Sequence, residues 1–103
     1  MIIYCDLDGV LMTQDPENKA DYINAKPIQA NIDKLNKLYD DGHTIVIWTA
    51  RGSTSQIDST ELTKSQLKDF GIKYHNLKPG KPFWDIFIDD RTFNSFEEYE
   101  KSR

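Results

Sequence analysis

Ile2-Ile3-Tyr4-Cys5-Asp6-Leu7 is a short apolar, β-rich run, and Asp8-Gly9-Val10 follows it directly. A stretch this short and this apolar reads as a strand buried on both faces, the habit of a parallel sheet. Thr44-Ile45-Val46-Ile47-Trp48-Thr49 has the same character. Between the two, Ile28, Ile32, Leu35 and Tyr39 recur at spacings of four, three and four, which places them on one helical face. Pro27 suits the first helical position and Gly42 the exit, so a helix is expected over 27–41. The unit is strand, helix, strand.

The second half alternates less cleanly. Asp58 and Glu61 are spaced as a capping box, Leu62, Leu67 and Phe70 suit a buried face, and Gly71 suits the helix end. A short third strand is expected at Ile72–Tyr74. Pro79, Gly80 and Pro82 make 76–82 a connecting loop. A fourth strand is expected at Asp85–Asp89, and Ser95 with Glu98 should cap a terminal helix. These elements predict a doubly wound α/β domain, a Rossmann-like three-layer sandwich whose parallel sheet has the order 3-2-1-4. Passing from the third strand to the fourth covers about 14 Å at roughly 4.8 Å per strand, and ten connecting residues reach about 33 Å. In such a sheet ligands bind at the carboxyl ends of the strands where the winding reverses, here between the first strand and the fourth. Both of those ends carry aspartates.

Length and charge narrow the field. At 103 residues the chain reads as one domain, 1–103. A net charge of −4 disfavours a general nucleic-acid binder, whose affinity rests on basic side chains. Cys5 is the only cysteine, so no internal disulfide can form and a reducing compartment is expected. No apolar run is long enough to cross a bilayer, and Asp6 and Asp8 interrupt the first apolar stretch before it can serve as a leader. The expectation is a soluble cytoplasmic protein without a membrane partner.

The chemistry is expected at the acidic strand ends. Asp6 and Asp8 flank Leu7, and alternate residues of extended chain point to one side, so both carboxylates enter one small volume. Gly9 permits a tight turn whose N–H groups could cradle an anion. Asp89 and Asp90 would bring the acids at the crevice to four, and carboxylates this close repel one another unless a cation intervenes. An all-oxygen set with room for water favours Mg²⁺. Each piece alone is ordinary turn chemistry. Together, at adjacent strand ends, they point to metal chemistry. Thr49 and the backbone of Ala50 could donate to a phosphoryl oxygen, Arg51 could contact a substrate phosphate or stay in solvent, and Lys81 could neutralise both a phosphate and an aspartate.

Asp6-Leu7-Asp8-Gly9-Val10, Thr49 closing an apolar strand, Lys81-Pro82 and Ile88-Asp89-Asp90 together resemble the four ordered motifs of the haloacid dehalogenase-like phosphohydrolase superfamily. The resemblance implies a Rossmann-like core and Mg²⁺-dependent phosphoryl transfer through an aspartyl-phosphate. On it, Asp6 is the nucleophile and a metal ligand. Asp8 protonates the leaving oxygen, later activates water, and offers its backbone carbonyl to the metal. Asp89 is the principal remaining ligand, with Asp90 assisting directly or through water, while Thr49 and Lys81 hold the transferring group. Lys78 is the alternative to Lys81, because this lysine usually stands near a helix start. Members that attack carbon lack an acid at the position of Asp8, so dehalogenation is disfavoured.

Neither Val10–Lys26 nor Ala50–Lys78 has room for the cap domain that many members insert. A capless site excludes water poorly. It should accept a large phosphorylated partner or a sugar phosphate, or be closed by another subunit of a homo-oligomer. Two other readings stay open: a phosphoacceptor domain of response-regulator type, and a catalytically idle fold used in assembly. Cys5 is expected in the core, and Trp48 and Trp84 in the core or the site wall.

Overall fold

The structure is a computed structural model, and it describes residues 1–17, 22–51 and 60–102. Strand β1 (Ile2–Asp6) leads through helix α1 (Gln29–Asp40) to β2 (Thr44–Trp48), and α2 (Thr60–Asp69) leads to β3 (Asn76–Lys78), with α3 (Phe96–Lys101) following. The three strands form one parallel sheet of order β1-β2-β3, with Asp6 level with Trp48 and Trp48 level with Lys78. The carboxyl ends of all three strands therefore finish along one line.

Both long helices end in the same way. Gly42 and Gly71 hold φ at 98° and 69°, where a side chain would be strained. The turns close through His43 N–H to the Leu38 carbonyl and Ile72 N–H to the Leu67 carbonyl. The start of α1 differs from the sequence expectation. Pro27 stands before the helix and bridges Met12, so the helix begins at Gln29. Ser95 caps α3 by accepting the Glu98 N–H at 3.1 Å, as its spacing implies. Asp58, the expected partner of Glu61, lies outside the described residues.

The third strand lies four residues beyond its expected place. Asn36 of α1 donates to the Gly71 carbonyl and accepts from Lys73 N–H, both at 2.8 Å, which binds 71–73 to the helix. Ile72 is buried in the core. Sheet pairing starts only at His75, whose N–H reaches the Ile45 carbonyl. Pro79 has no N–H, yet the ladder resumes beyond it when Lys81 N–H reaches the Thr49 carbonyl at 3.0 Å.

One face of the sheet is covered. Ile3, Cys5 and Leu7 alternate inward and join Ile45 and Ile47 against Ile32 and Leu35 of α1 and Leu67 of α2. Right-handed crossovers in a sheet of sequential order put both helices on the same side. The opposite face leaves Ile2 and Tyr4 exposed. Phe96 of α3 packs on the covered side's core, and Glu100 pairs with Lys34 of α1 at 3.1 Å. Among the described residues there are thus two layers, where the sequence predicted three.

Among the described residues no fourth strand forms along β1. Trp84 and Phe87, three residues apart, stack with centroids 4.6 Å apart and planes 24° from parallel. Extended chain would send these two side chains to opposite faces, so the stack bends the backbone at Asp85. Ile86 and Ile88 stay exposed, and β1 remains an edge.

Leu35 has no exposed surface. Leu35→Ala should lower unfolding free energy by about 2–5 kcal/mol. Lys37→Ala, which loses only an exposed pair with Asp41, should change it by no more than about 0.5 kcal/mol. Urea unfolding followed by circular dichroism separates the two.

Candidate functional site

The end of β1 and the loops after β2 and β3 bound a cleft of about 210 Å³, lined in part by Asp6, Asp8, Tyr22, Arg51, Lys81 and Trp84. Asp6 is the last residue of β1, and Asp8 follows Leu7, whose side chain is wholly buried. Burying Leu7 turns its two neighbours toward the cleft. The chain then reverses tightly, with Gly9 N–H on the Met12 carbonyl at 2.8 Å and Leu11 N–H on the Leu7 carbonyl at 2.9 Å. The Gly9 donor expected to cradle an anion is therefore engaged within the turn.

Each cleft carboxylate has its own cation. Asp6 Oδ2 lies 3.1 Å from Lys81 Nζ, and Asp6 Oδ1 accepts Leu7 N–H at 2.8 Å. Lys81 also sits over the Trp84 ring, 5.1 Å from its centroid. Lys78 stands instead over the rings of Tyr4 and Trp48. Of the two lysines considered from sequence, Lys81 is the one brought to Asp6.

Asp8 is held by Arg51. Nη2 donates to Oδ1 at 2.7 Å and Nε to Oδ2 at 3.0 Å, a bidentate pair in which the Arg51 side chain is 1% exposed. Nη1 donates to Thr63 Oγ1 at 3.1 Å and to Gln66 Oε1 at 2.6 Å, and Nη2 also faces Met12 Sδ at 3.2 Å. The Tyr22 ring covers the guanidinium at 4.4 Å, and Gln66 Nε2 donates to the Tyr22 carbonyl at 2.6 Å. Arg51 is thus neither a solvated loop residue nor open to a phosphate. Thr49 is buried, and its Oγ1 accepts the Arg51 N–H at 3.1 Å; Ala50 lines the cleft.

Asp89 and Asp90 lie outside the cleft and are exposed. Asp89 is held below the usual carboxylate range by hydrogen bonding, first with the Asp90 side chain and then with the Arg91 backbone N–H. The expected four-acid cluster is therefore split two and two. Among the described residues no group of three or more His, Cys, Asp or Glu is gathered as a metal set. As arranged, the described residues alone do not complete a Mg²⁺ set. Asp6 and Asp8 already carry compensating cations, and among the described residues no third carboxylate lines the cleft.

Tyr22, Thr63 and Gln66 were not singled out from the sequence. Thr63, Gln66, Leu67 and Phe70 follow a helical stripe at spacings of three, one and three, so two polar residues interrupt an otherwise apolar face. Polar side chains on a buried stripe need partners, and that is the signal that could have revealed them. Burial raises the Tyr22 hydroxyl above its ordinary range; the Asp8 carboxylate adds to the effect and Arg51 opposes it.

No family model matches the chain, and no curated protein matches it. A crystal structure of a structural-genomics target from Vibrio cholerae is similar over 99% of this chain and 98% of that one, with a TM-score of 0.76 and 27% identity. The two chains share a small α/β architecture over their whole compared length. None of the described helices is long and apolar enough to cross a membrane.

Burial pushes the Cys5 thiol up to about 12, with the neighbouring Asp6 carboxylate adding to the shift and Lys81 opposing it. The thiolate is the reactive form, so at pH 8 alkylation of the folded chain by iodoacetamide should run at least about 10²-fold slower than after unfolding in urea. Mass spectrometry of timed aliquots measures both rates.

Proposed function

We propose that the chain is a phosphohydrolase of the haloacid dehalogenase-like type, cleaving a phosphate monoester through Asp6. The observation that carries the reading is Asp6 at the carboxyl end of β1, with Lys81 Nζ 3.1 Å from one oxygen and Asp8 beside it in the same cleft. A carboxylate attacks a phosphate dianion poorly, because like charges repel. An ammonium between them offsets that repulsion and fixes the phosphoryl group. In the first step an Asp6 oxygen bonds to phosphorus, the ester P–O bond breaks, and Asp8 supplies the proton to the leaving oxygen. In the second step water attacks phosphorus, its proton passes to Asp8, and the P–O bond to Asp6 breaks. Phosphate leaves and both carboxyl groups return to their starting states.

Sheet order 3-2-1-4 and a requirement for Mg²⁺ belong to the same proposal. Both depend on residues 85–90 pairing with the open edge of β1, and no step above is routed through the ion. The open cleft, rimmed by Phe83 and Trp84, supports a large or sugar-linked phosphorylated substrate over a small enclosed one.

Purified protein with Mg²⁺ should release phosphate repeatedly from p-nitrophenyl phosphate. Asp6→Asn should lower kcat by about 10³-fold or more, the scale of a lost nucleophile, with an unchanged circular dichroism spectrum. Stoichiometric labelling without turnover would instead support a phosphoacceptor, and no reaction across phosphorylated sugars, nucleotides and proteins would support an idle fold. In a separate test, Mg²⁺ titrated into the ¹⁵N-labelled chain should shift the amides of Asp6, Asp89 and Asp90 together. Shifts confined to Asp89 and Asp90 would count against a shared site.

A further inference from the structure

We infer that Arg51 is a positioning residue for Asp8, holding its carboxylate toward Asp6 for the water-attack step, and that it does not bind substrate phosphate. The inference rests on the phosphohydrolase reading and deepens it.

Arginine has five N–H donors. Here Nε serves Asp8, the two hydrogens of Nη1 serve Thr63 and Gln66, and those of Nη2 serve Asp8 and Met12 Sδ. None remains for a phosphoryl oxygen. The Tyr22 ring covers one face of the plane, and the side chain is 1% exposed. A phosphate clamp must present its fork to the ligand, whereas this fork grips an aspartate and is itself gripped by α2.

That grip has a direction. Thr63 and Gln66 lie on adjacent turns of α2 and fix Nη1 from behind, so the Nε–Nη2 edge can only face Asp8. Both Asp8 oxygens are met along that edge, which fixes the plane of the carboxylate. Each oxygen keeps acceptor capacity for a water proton. The pairing orients the Asp8 carboxylate for the second step, in which Asp8 takes the water proton. Without Arg51 the carboxyl group would remain but would lose its orientation.

The test uses p-nitrophenyl phosphate with the full chain, because p-nitrophenolate leaves without being protonated and the first step then needs little from Asp8. Arg51→Met should give a burst approaching one p-nitrophenolate per chain, followed by steady turnover slowed by about 10²-fold, with KM falling by a similar factor because kcat/KM reports the untouched first step. Acid quenching should trap the phosphoryl group on Asp6. Arg51→Lys should restore part of the rate, and Gln66→Leu, which frees one side of Nη1, should move the kinetics in the same direction by less. A proportionate fall with no burst in both Arg51→Met and Gln66→Leu would overturn the assignment, as would a raised KM at unchanged kcat.

Nuclear magnetic resonance separates failure of this assignment from failure of the phosphohydrolase reading. The Arg51 Nε–H signal should exchange slowly in the wild-type chain and lose protection in Asp8→Ala. Fast exchange in the wild-type chain overturns the positioning role whatever the activity. A slow, Asp8-dependent signal in a chain that releases no p-nitrophenolate keeps the pairing and overturns the enzymatic reading, and with it the kinetic role.

Discussion

A guanidinium removed from water has to find a partner for every N–H, and around Arg51 that requirement organises the cleft end of the molecule. Leaving one member of such a buried pair without the other costs about 3–5 kcal/mol. Two stretches of chain answer it, the turn after β1 through Asp8 and Met12 and α2 through Thr63 and Gln66, while the Tyr22 ring covers the guanidinium face and Thr49 Oγ1 accepts the Arg51 backbone N–H. The pair of Asp6 with Lys81 is more exposed and contributes less to stability. The site therefore has one fixed acid and one accessible acid, set beside each other by the burial of Leu7 between them.

The sheet supplies the alignment. Parallel pairing brings the ends of β1, β2 and β3 to one line, so that Asp6, Thr49 and the loop carrying Lys81 meet without any long-range adjustment. The Pro79-Gly80 step does not break this, because Lys81 N–H rejoins Thr49 across it. Among the described residues both long helices lie on one face, and the core is drawn from alternate residues of β1 and β2 and the inward stripes of α1 and α2.

Much of this was legible in the residues. Periodicity placed α1 and the first two strands because each has a strong apolar signal at its own repeat, and the glycine exits of both long helices followed from their left-handed turns. Asp6, Asp8 and Lys81 were brought to one cleft as their positions implied. The third strand was displaced because Asn36, a polar residue on an exposed turn of α1, ties up the backbone at 71–73, and no local pattern announces such a tie. The fourth strand did not pair because a ring stack between Trp84 and Phe87 competes with extension, and alternation of apolar residues is silent about which contact wins. The burial of Arg51 is hidden from its own loop for a related reason: whether a loop arginine faces water or the interior is decided by Thr63 and Gln66, a dozen or more residues away.

Trp48 and Trp84 are the only tryptophans, and their rings lie 6.0 Å apart beside Lys81. The chain thus carries its own optical reporter, with one indole on the cleft wall and the other beside it, both near Lys81. Any rearrangement that straightened 85–89 would have to pull Trp84 from Phe87, and any anion drawing Lys81 away would remove a cation from the indole face. Intrinsic fluorescence can follow both events in the unlabelled molecule.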